Sequence, residues 1–298
     1  MSRDMTSSRE FFEGWYFKHQ KGEQNVAFIP GVSVGRKGER KAFLQIITGS
    51  QSYNVDYPFS EFKVSRRPYL RVELANNLFS MDQVRVDIDE DTVKCVADIR
   101  YRNVTPVRYD VMGPFKFVPF MECRHGVLSL KHDVGGFCEV NDKRIELNGG
   151  VGYVEKDWGS SFPSEYTWIQ CNDFGERDCS VMASVADIPF MGTNFRGCIC
   201  CVYVDGREHR LATYNGVKVM RCDESAIVLR RGNDVLEIET CGGDFKDLFA
   251  PVKGSMTRTI KEAISCRARF VFSHANEVLF DLESEHASFE HVLRDKSF

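Results

Sequence analysis

Two carboxylates spaced by one residue, set among tryptophans, are the part of this chain best equipped for chemistry. They lie in Tyr153-Val154-Glu155-Lys156-Asp157-Trp158-Gly159-Ser160-Ser161-Phe162-Pro163, which is followed closely by Trp168-Ile169-Gln170-Cys171-Asn172. Extended backbone alternates its side chains, so Glu155 and Asp157 share one face while Lys156 sits on the other with Val154. A carboxyl held among Trp158, Tyr166 and Trp168 loses its hydration, takes up a proton more readily, and can then donate it near neutral pH. The plainer alternative is structural: Glu155 or Asp157 accepts backbone N–H groups, or pairs with Lys156, Lys18 or an arginine, and pins a strand corner. The cluster as a whole, too charged for ordinary core and too aromatic for ordinary surface, points to a pocket with Glu155 and Asp157 as its acids.

Other segments are candidates to line that pocket. Glu13-Gly14-Trp15-Tyr16-Phe17-Lys18 reads as a strand, in which Trp15 either plugs the end of a barrel or touches a ligand. The run from Val111 to Gly126 is apolar yet carries Pro114 and Pro119, which exclude a regular central strand. A buried irregular segment of this kind often borders a cavity, which makes Phe117 and His125 candidate ligand contacts. His125 and His132 have no partner at metal-ligand spacing, and no serine occupies a Gly-x-Ser-x-Gly elbow. Gly31-Val32-Ser33-Val34-Gly35 leads into further strands and reads as a hairpin region, not a phosphate loop. Cys198-Ile199-Cys200-Cys201 lacks zinc-knuckle spacing and reads as strand core. Neither a metal nor a cofactor is expected.

The elements that must position these residues are strands. Val84, Val86 and Ile88 alternate with Gln83, Arg85, Asp87 and Asp89, and Val93 to Tyr101 repeats the pattern. Asn141-Asp142, Asp205-Gly206 and Asn215-Gly216 each separate two such runs and suit two-residue hairpins. Many short strands at close spacing indicate an all-β protein of sandwiches or barrels. Helical periodicity is confined to Ser255–Ser265, where Met256, Ile260 and Ile264 recur at four-residue intervals, and an extended reading fits there too. A length of 298 residues suits two domains, and the Gly149-Gly150 pair suggests a division into 1–149 and 150–298.

Composition narrows the partners. A formal net charge of −4 with no basic stripe argues against nucleic acid. No apolar run is long enough for a membrane span, and the polar amino terminus carries no secretory or transit signal, so a soluble, cytoplasmic protein is expected. Eleven cysteines, an odd number without a secretory signal, read as reduced thiols.

Glu155 to Pro163 followed by Trp168 to Asn172 resembles the central signature of the tocopherol cyclase-like family. Glu13 to Lys18, Pro114 to Gly126 and Ser255 to Ser265 are similar to that family in order and rough spacing. The resemblance implies two tandem lipocalin-like antiparallel β-barrels, related in architecture to carotenoid 1,2-hydratases. Plant-type members close a phytyl-substituted quinol to a chromanol: an alkene is protonated, and the tertiary cation is captured by the neighbouring phenol oxygen. The resemblance thus implies an acid-initiated cyclase using Glu155 or Asp157, with Trp15, Trp158 and Trp168 facing the cation. The resemblance places this reaction in an apolar β-barrel cavity, which a hydratase or a non-catalytic carrier of hydrophobic molecules would equally use. The expected partner in each case is an apolar isoprenoid or prenylated aromatic molecule. Plant-type cyclases generally carry Asn at the position of Asp157, and Ser288-Phe289-Glu290 replaces a usual Gly-Leu-Glu.

Overall fold

The computed structural model describes residues 10–119, 121–190 and 192–294, and the chain divides into two compact units. The polar stretch before Glu10 lies outside the described residues, as does Phe120 of the proline-interrupted run. The first unit comprises Met1–Pro106, Cys123–Phe162 and Leu248–Thr259, and the second Val107–Glu122, Pro163–Asp247 and Ile260–Phe298. The expected break at 149/150 instead falls inside the first unit, because the strand that begins at Gly150 is hydrogen-bonded on both sides to strands of that unit.

The first sheet is formed by β1 (Phe11–Lys21), β2 (Gln24–Val34), β3 (Arg40–Thr48), β4 (Ser52–Pro58), β5 (Phe62–Ser65), β6 (Arg71–Leu74), β7 (Asn77–Ser80), β8 (Gln83–Asp89), β9 (Lys94–Thr105), β10 (Cys123–Val140), β11 (Lys143–Glu146) and β12 (Gly150–Gly159). Its order is β4-β3-β2-β1-β12-β10-β9-β8-β7-β6-β5, with β11 on β10. The second sheet is formed by β13 (Tyr166–Cys171), β14 (Cys179–Phe190), β15 (Thr193–Val204), β16 (Arg207–Ala212), β17 (Lys218–Cys222), β18 (Ala226–Arg231), β19 (Asp234–Gly243), β20 (Lys246–Val252), β21 (Ser255–His274) and β22 (Glu277–Val292). Its order is β16-β15-β14-β13-β22-β21-β19-β18-β17, with β20 on β21.

Both sheets follow one plan. The first strand pairs with the last, successive strands walk outward to one edge, and a three-residue 3-10 turn carries the chain to the opposite edge. A connection as short as Phe59–Glu61 can join the two edges only if the sheet curls on itself. Rings on distant strands confirm the curl: Trp15 of β1 stacks on Phe62 of β5 at 6.0 Å, and Phe17 of β1 meets Phe79 of β7 at 5.6 Å. The fold is therefore all-β, two lipocalin-like antiparallel barrels, as the sequence suggested. Each has its own apolar core, one around Trp15, Phe17, Phe28 and Phe79, the other around Ile169, Phe270, Phe272 and Phe289.

Local chemistry explains both agreement and departure. Asn141-Asp142 and Asp205-Gly206 take positive φ at both positions and close β10–β11 and β15–β16 as two-residue hairpins. Asn215-Gly216 does not make a hairpin, since β16 and β17 are opposite edges of their sheet. The Asn215 side chain instead accepts from the Ala212 N–H and donates to the Arg210 carbonyl, folding a 3-10 turn that ends at left-handed Gly216. Gly31 to Val34 continues β2, and the turn follows at Gly35 to Gly38. Ser255–Ser265 is extended, part of β21: alternation of exposed and buried positions along the strand outweighs the four-residue recurrence of Met256, Ile260 and Ile264.

A polar network runs through the first core. The His19 Nδ1–H donates to the Val26 carbonyl at 3.2 Å, so its Nε2 is the acceptor for the Tyr101 hydroxyl at 2.5 Å. Tyr101 packs on the His132 ring at 4.1 Å. The Ser129 hydroxyl donates to the Lys131 carbonyl, so the His132 Nδ1–H donates to Ser129 Oγ at 2.9 Å. The His132 ring occupies the space over Gly152, where an added Cβ would lie 2.2 Å from Nε2. Gly152→Ala is accordingly expected to destabilise the protein by about 1–3 kcal/mol, the usual cost of overpacking a filled core, measured by urea unfolding at pH 7.5.

Candidate active site at strands β10 and β12

Strand β12 lies between β1 and β10, and its two faces carry different chemistry. On one face stand Tyr153, Glu155 and Asp157. The register sets His125 of β10 directly opposite Asp157, and sets Tyr16 and Gly14 of β1 opposite Glu155 and Asp157. The core of the unit lies on the other face, with Val154, Trp158, Trp15 and Phe17.

The first face holds a continuous array. The Tyr153 hydroxyl donates to Glu155 Oε2 at 2.6 Å, His125 Nε2 lies 3.3 Å from the same oxygen, and His125 Nδ1 bonds Asp157 Oδ1 at 2.9 Å. Side-chain exposure rises along it from 7% at Glu155 through 11% at His125 to 21% at Asp157, so the Asp157 end is the more accessible. Gly14 keeps that end open, since the strand residue beside Asp157 has no side chain and even an added Cβ would meet nothing closer than 3.8 Å.

Burial and charge oppose each other here. Burial alone would lower the His125 pKa, but the Glu155 and Asp157 carboxylates outweigh it and hold the imidazole well above its usual value. Burial raises the Glu155 pKa, His125 works against the rise, and Asp157 adds to it. The consistent picture is an imidazolium balanced by Asp157, beside a Glu155 that binds a proton more readily than an exposed carboxyl. Such an array can deliver a proton from Glu155 and replace it from His125. The ligand atoms of His125, Glu155 and Asp157 also lie within 4.8 Å of one another, a spacing compatible with a metal ion. In this structure both imidazole nitrogens instead face carboxylates.

The residues anticipated from the sequence fall into three places. Glu155, Asp157 and His125 come together. Trp15 and Trp158 do not join them: strand alternation turns both indoles to the core face, where Lys156 Nζ lies 5.4 and 4.3 Å from their ring centres. Tyr166 and Trp168 belong to β13 of the second unit, on the face away from its core, where the Tyr166 hydroxyl donates to Glu290 at 2.6 Å. Phe117 ends the 3-10 turn Gly113–Phe117 and is 78% exposed. Phe115 is the ring that packs in that turn, against Tyr214 and Phe195. Tyr153 was missed, although its position two residues before Glu155 places it on the same strand face.

Within the first unit, the site is thus a buried carboxylate–imidazole array on the outer face of a lipocalin-like barrel. Residues 99–225 match the tocopherol cyclase-like family, so the resemblance carried by the Glu155 motif holds. A probable chloroplastic tocopherol cyclase of Oryza sativa subsp. japonica is 32% identical over 89 residues, 28% of this chain and 18% of that protein. A chloroplastic tocopherol cyclase of Zea mays is 36% identical over 56 residues, 19% of this chain and 12% of that one. The matched segments therefore span less than a fifth of these plant relatives. Among solved structures, CghA with Sch210972 superposes with a TM-score of 0.62 at 8% identity, covering 96% of this chain and 89% of that one. Kievitone hydratase from Nectria haematococca superposes at 0.55 and 13% identity, covering 96% and 90%. At these identities the likeness to the solved structures is one of fold.

Proposed function

We propose that this protein is a tocopherol cyclase-like enzyme that adds a proton to an alkene of an isoprenoid or prenylated quinol. The resulting tertiary cation is captured within the substrate, which closes a ring. The observation that carries this reading is the Tyr153–Glu155–His125–Asp157 array, a proton source shielded from water. Protonated Glu155 gives its proton to the less substituted alkene carbon and becomes a carboxylate, hydrogen-bonded by Tyr153 and adjacent to the imidazolium. The phenol oxygen bonds to the cation, and its released proton restores the array, so the reaction is an isomerisation with no net gain or loss of atoms. Asp157 keeps His125 charged and oriented. Water admitted in place of the phenol would yield a tertiary alcohol, the hydratase outcome, and enclosure of the site decides between them.

Trp15 and Trp158 do not serve as cation-stabilising walls for this array, because both indoles lie on the core face, opposite the array. The test is incubation with prenylated quinols in deuterated water. Chromanol carrying one deuterium on a carbon beside the new C–O bond is expected. Deuterated tertiary alcohol would assign a hydratase, whereas unchanged ligand bound one to one would make the protein a carrier and overturn the catalytic reading.

A further inference from the structure

The core side of the second barrel carries a chain of three polar side chains, one from each of three strands. Thr167 of β13 and His291 of β22 are register partners, and the Thr167 hydroxyl lies 2.9 Å from His291 Nδ1. Cys222 ends β17, an edge strand of the same sheet. The curl of that sheet brings the Cys222 thiol to Thr167 Oγ1, to which it donates at 3.3 Å. Thr167 is 2% exposed, and its hydroxyl bonds no third group among the described residues. Having accepted from the thiol, the hydroxyl gives its own proton to His291, so Nδ1 is the acceptor. The chain therefore has a direction, from sulphur through oxygen to a basic ring nitrogen. Cys222 and His291 keep partial exposure, so both ends are reachable from solvent while the link between them is sealed. The apolar side of the site is Phe289, parallel to the His291 ring with centres 6.4 Å apart, and Phe245, 6.3 Å from Phe289.

Burial pushes the Cys222 thiol above its usual pKa; Thr167 and the Arg196 guanidinium pull the other way, and the Asp223 and Glu165 carboxylates push with burial. The thiol is therefore protonated at rest, and its nucleophile has to be made during attack, by a base that takes the proton as the new bond forms. The chain supplies that base. It also favours one reaction class, addition to a carbon–carbon double bond conjugated with a carbonyl. Sγ bonds to the β carbon, the π electrons move towards the carbonyl oxygen, and the sulphur proton passes to Thr167 as the Thr167 proton passes to His291. Return of a proton from the imidazolium to the α carbon completes a thioether. Thiol and acceptor are both consumed whole, with no leaving group and no co-reactant.

We infer that Cys222 is a site of covalent addition for α,β-unsaturated carbonyl compounds, with Thr167 and His291 as its proton relay. The site uses none of the groups of the Tyr153–Glu155–His125–Asp157 array. The experiment treats purified protein at neutral pH with N-ethylmaleimide, an acceptor of this class, stops the reaction at intervals and counts the adduct on each cysteine by peptide mass spectrometry. Cys241, which is exposed, is the internal reference. Cys222 is expected to react about tenfold faster than Cys241, although it is the more buried thiol. Thr167→Val, nearly equal in shape but without the hydroxyl, is expected to slow Cys222 about tenfold and leave Cys241 unchanged, and Thr167→Ser to restore the rate. A Cys222 slower than Cys241 in the wild-type protein overturns the inference, as does a wild-type rate in Thr167→Val. Slow reaction in both Thr167 variants also overturns it, since packing and not the hydroxyl would then set the rate. The comparison of the two cysteines needs only wild-type protein, so a poorly folded variant does not blunt the test.

Discussion

Glu155→Gln is expected to lower the rate of substrate conversion by about 10²–10⁴-fold, the usual contribution of a positioned general acid, while ligand affinity changes by no more than a few fold. The amide keeps the shape of the side chain and can still accept the Tyr153 hydroxyl bond, but it carries no transferable proton. His125→Gln should cost a similar factor, since the group that replenishes Glu155 and faces both carboxylates is lost together. The pH profile supplies an independent check. Glu155 must be protonated to act, and burial raises its pKa above the ordinary carboxyl value. Activity should therefore persist above the pH at which an exposed glutamate would have ionised, and kcat/KM should fall as pH rises through the raised pKa. A Glu155→Gln enzyme with wild-type turnover would remove Glu155 from the chemistry altogether.

The second large effect concerns stability in acid. His19 and His132 are buried in the first core, and burial drives the pKa of each down to about 3. In the unfolded chain both titrate near 6.5. Folded-state values below the unfolded ones mean that the unfolded chain binds protons the folded protein refuses. The stability these histidines permit is complete above about pH 6.5 and is lost as pH falls towards 3. At pH 5 the loss is about 2 kcal/mol for each, or about 4 kcal/mol together, a large part of the stability of a typical domain. Urea unfolding at pH 7.5 and pH 5.0 should show this drop. Its pH dependence should shrink by about half in His132→Asn, even if that variant is less stable at both pH values. An unchanged slope would mean that His132 binds its proton in the folded state.

The architecture was largely legible in the chain because strand periodicity is a local property. Residues 83–89 and 94–101 alternate strictly, and Asn141-Asp142 and Asp205-Gly206 accept the positive φ of tight hairpins, so both the element type and two turns followed from neighbours alone. The same alternation placed Glu155 and Asp157 on one face and Lys156 on the other. It also implied that Trp158 sits with Lys156, a consequence that the density of aromatic residues obscured. Asn215-Gly216 misled because dipeptide chemistry fixes a turn but not which strands the turn connects.

What the sequence determined by itself was an all-β chain, its acidic and aromatic central motif and the face each motif residue occupies, since these depend on backbone geometry over a few residues. Only the tertiary structure decided that β12 closes the first sheet between β1 and β10. That pairing brings His125, 30 residues before Glu155, between the two carboxylates, and sets Glu13 and Arg66 against Lys156. Strand partners distant in sequence are chosen by the burial of whole faces and by the curling of a sheet on itself, and no short window of residues encodes that choice.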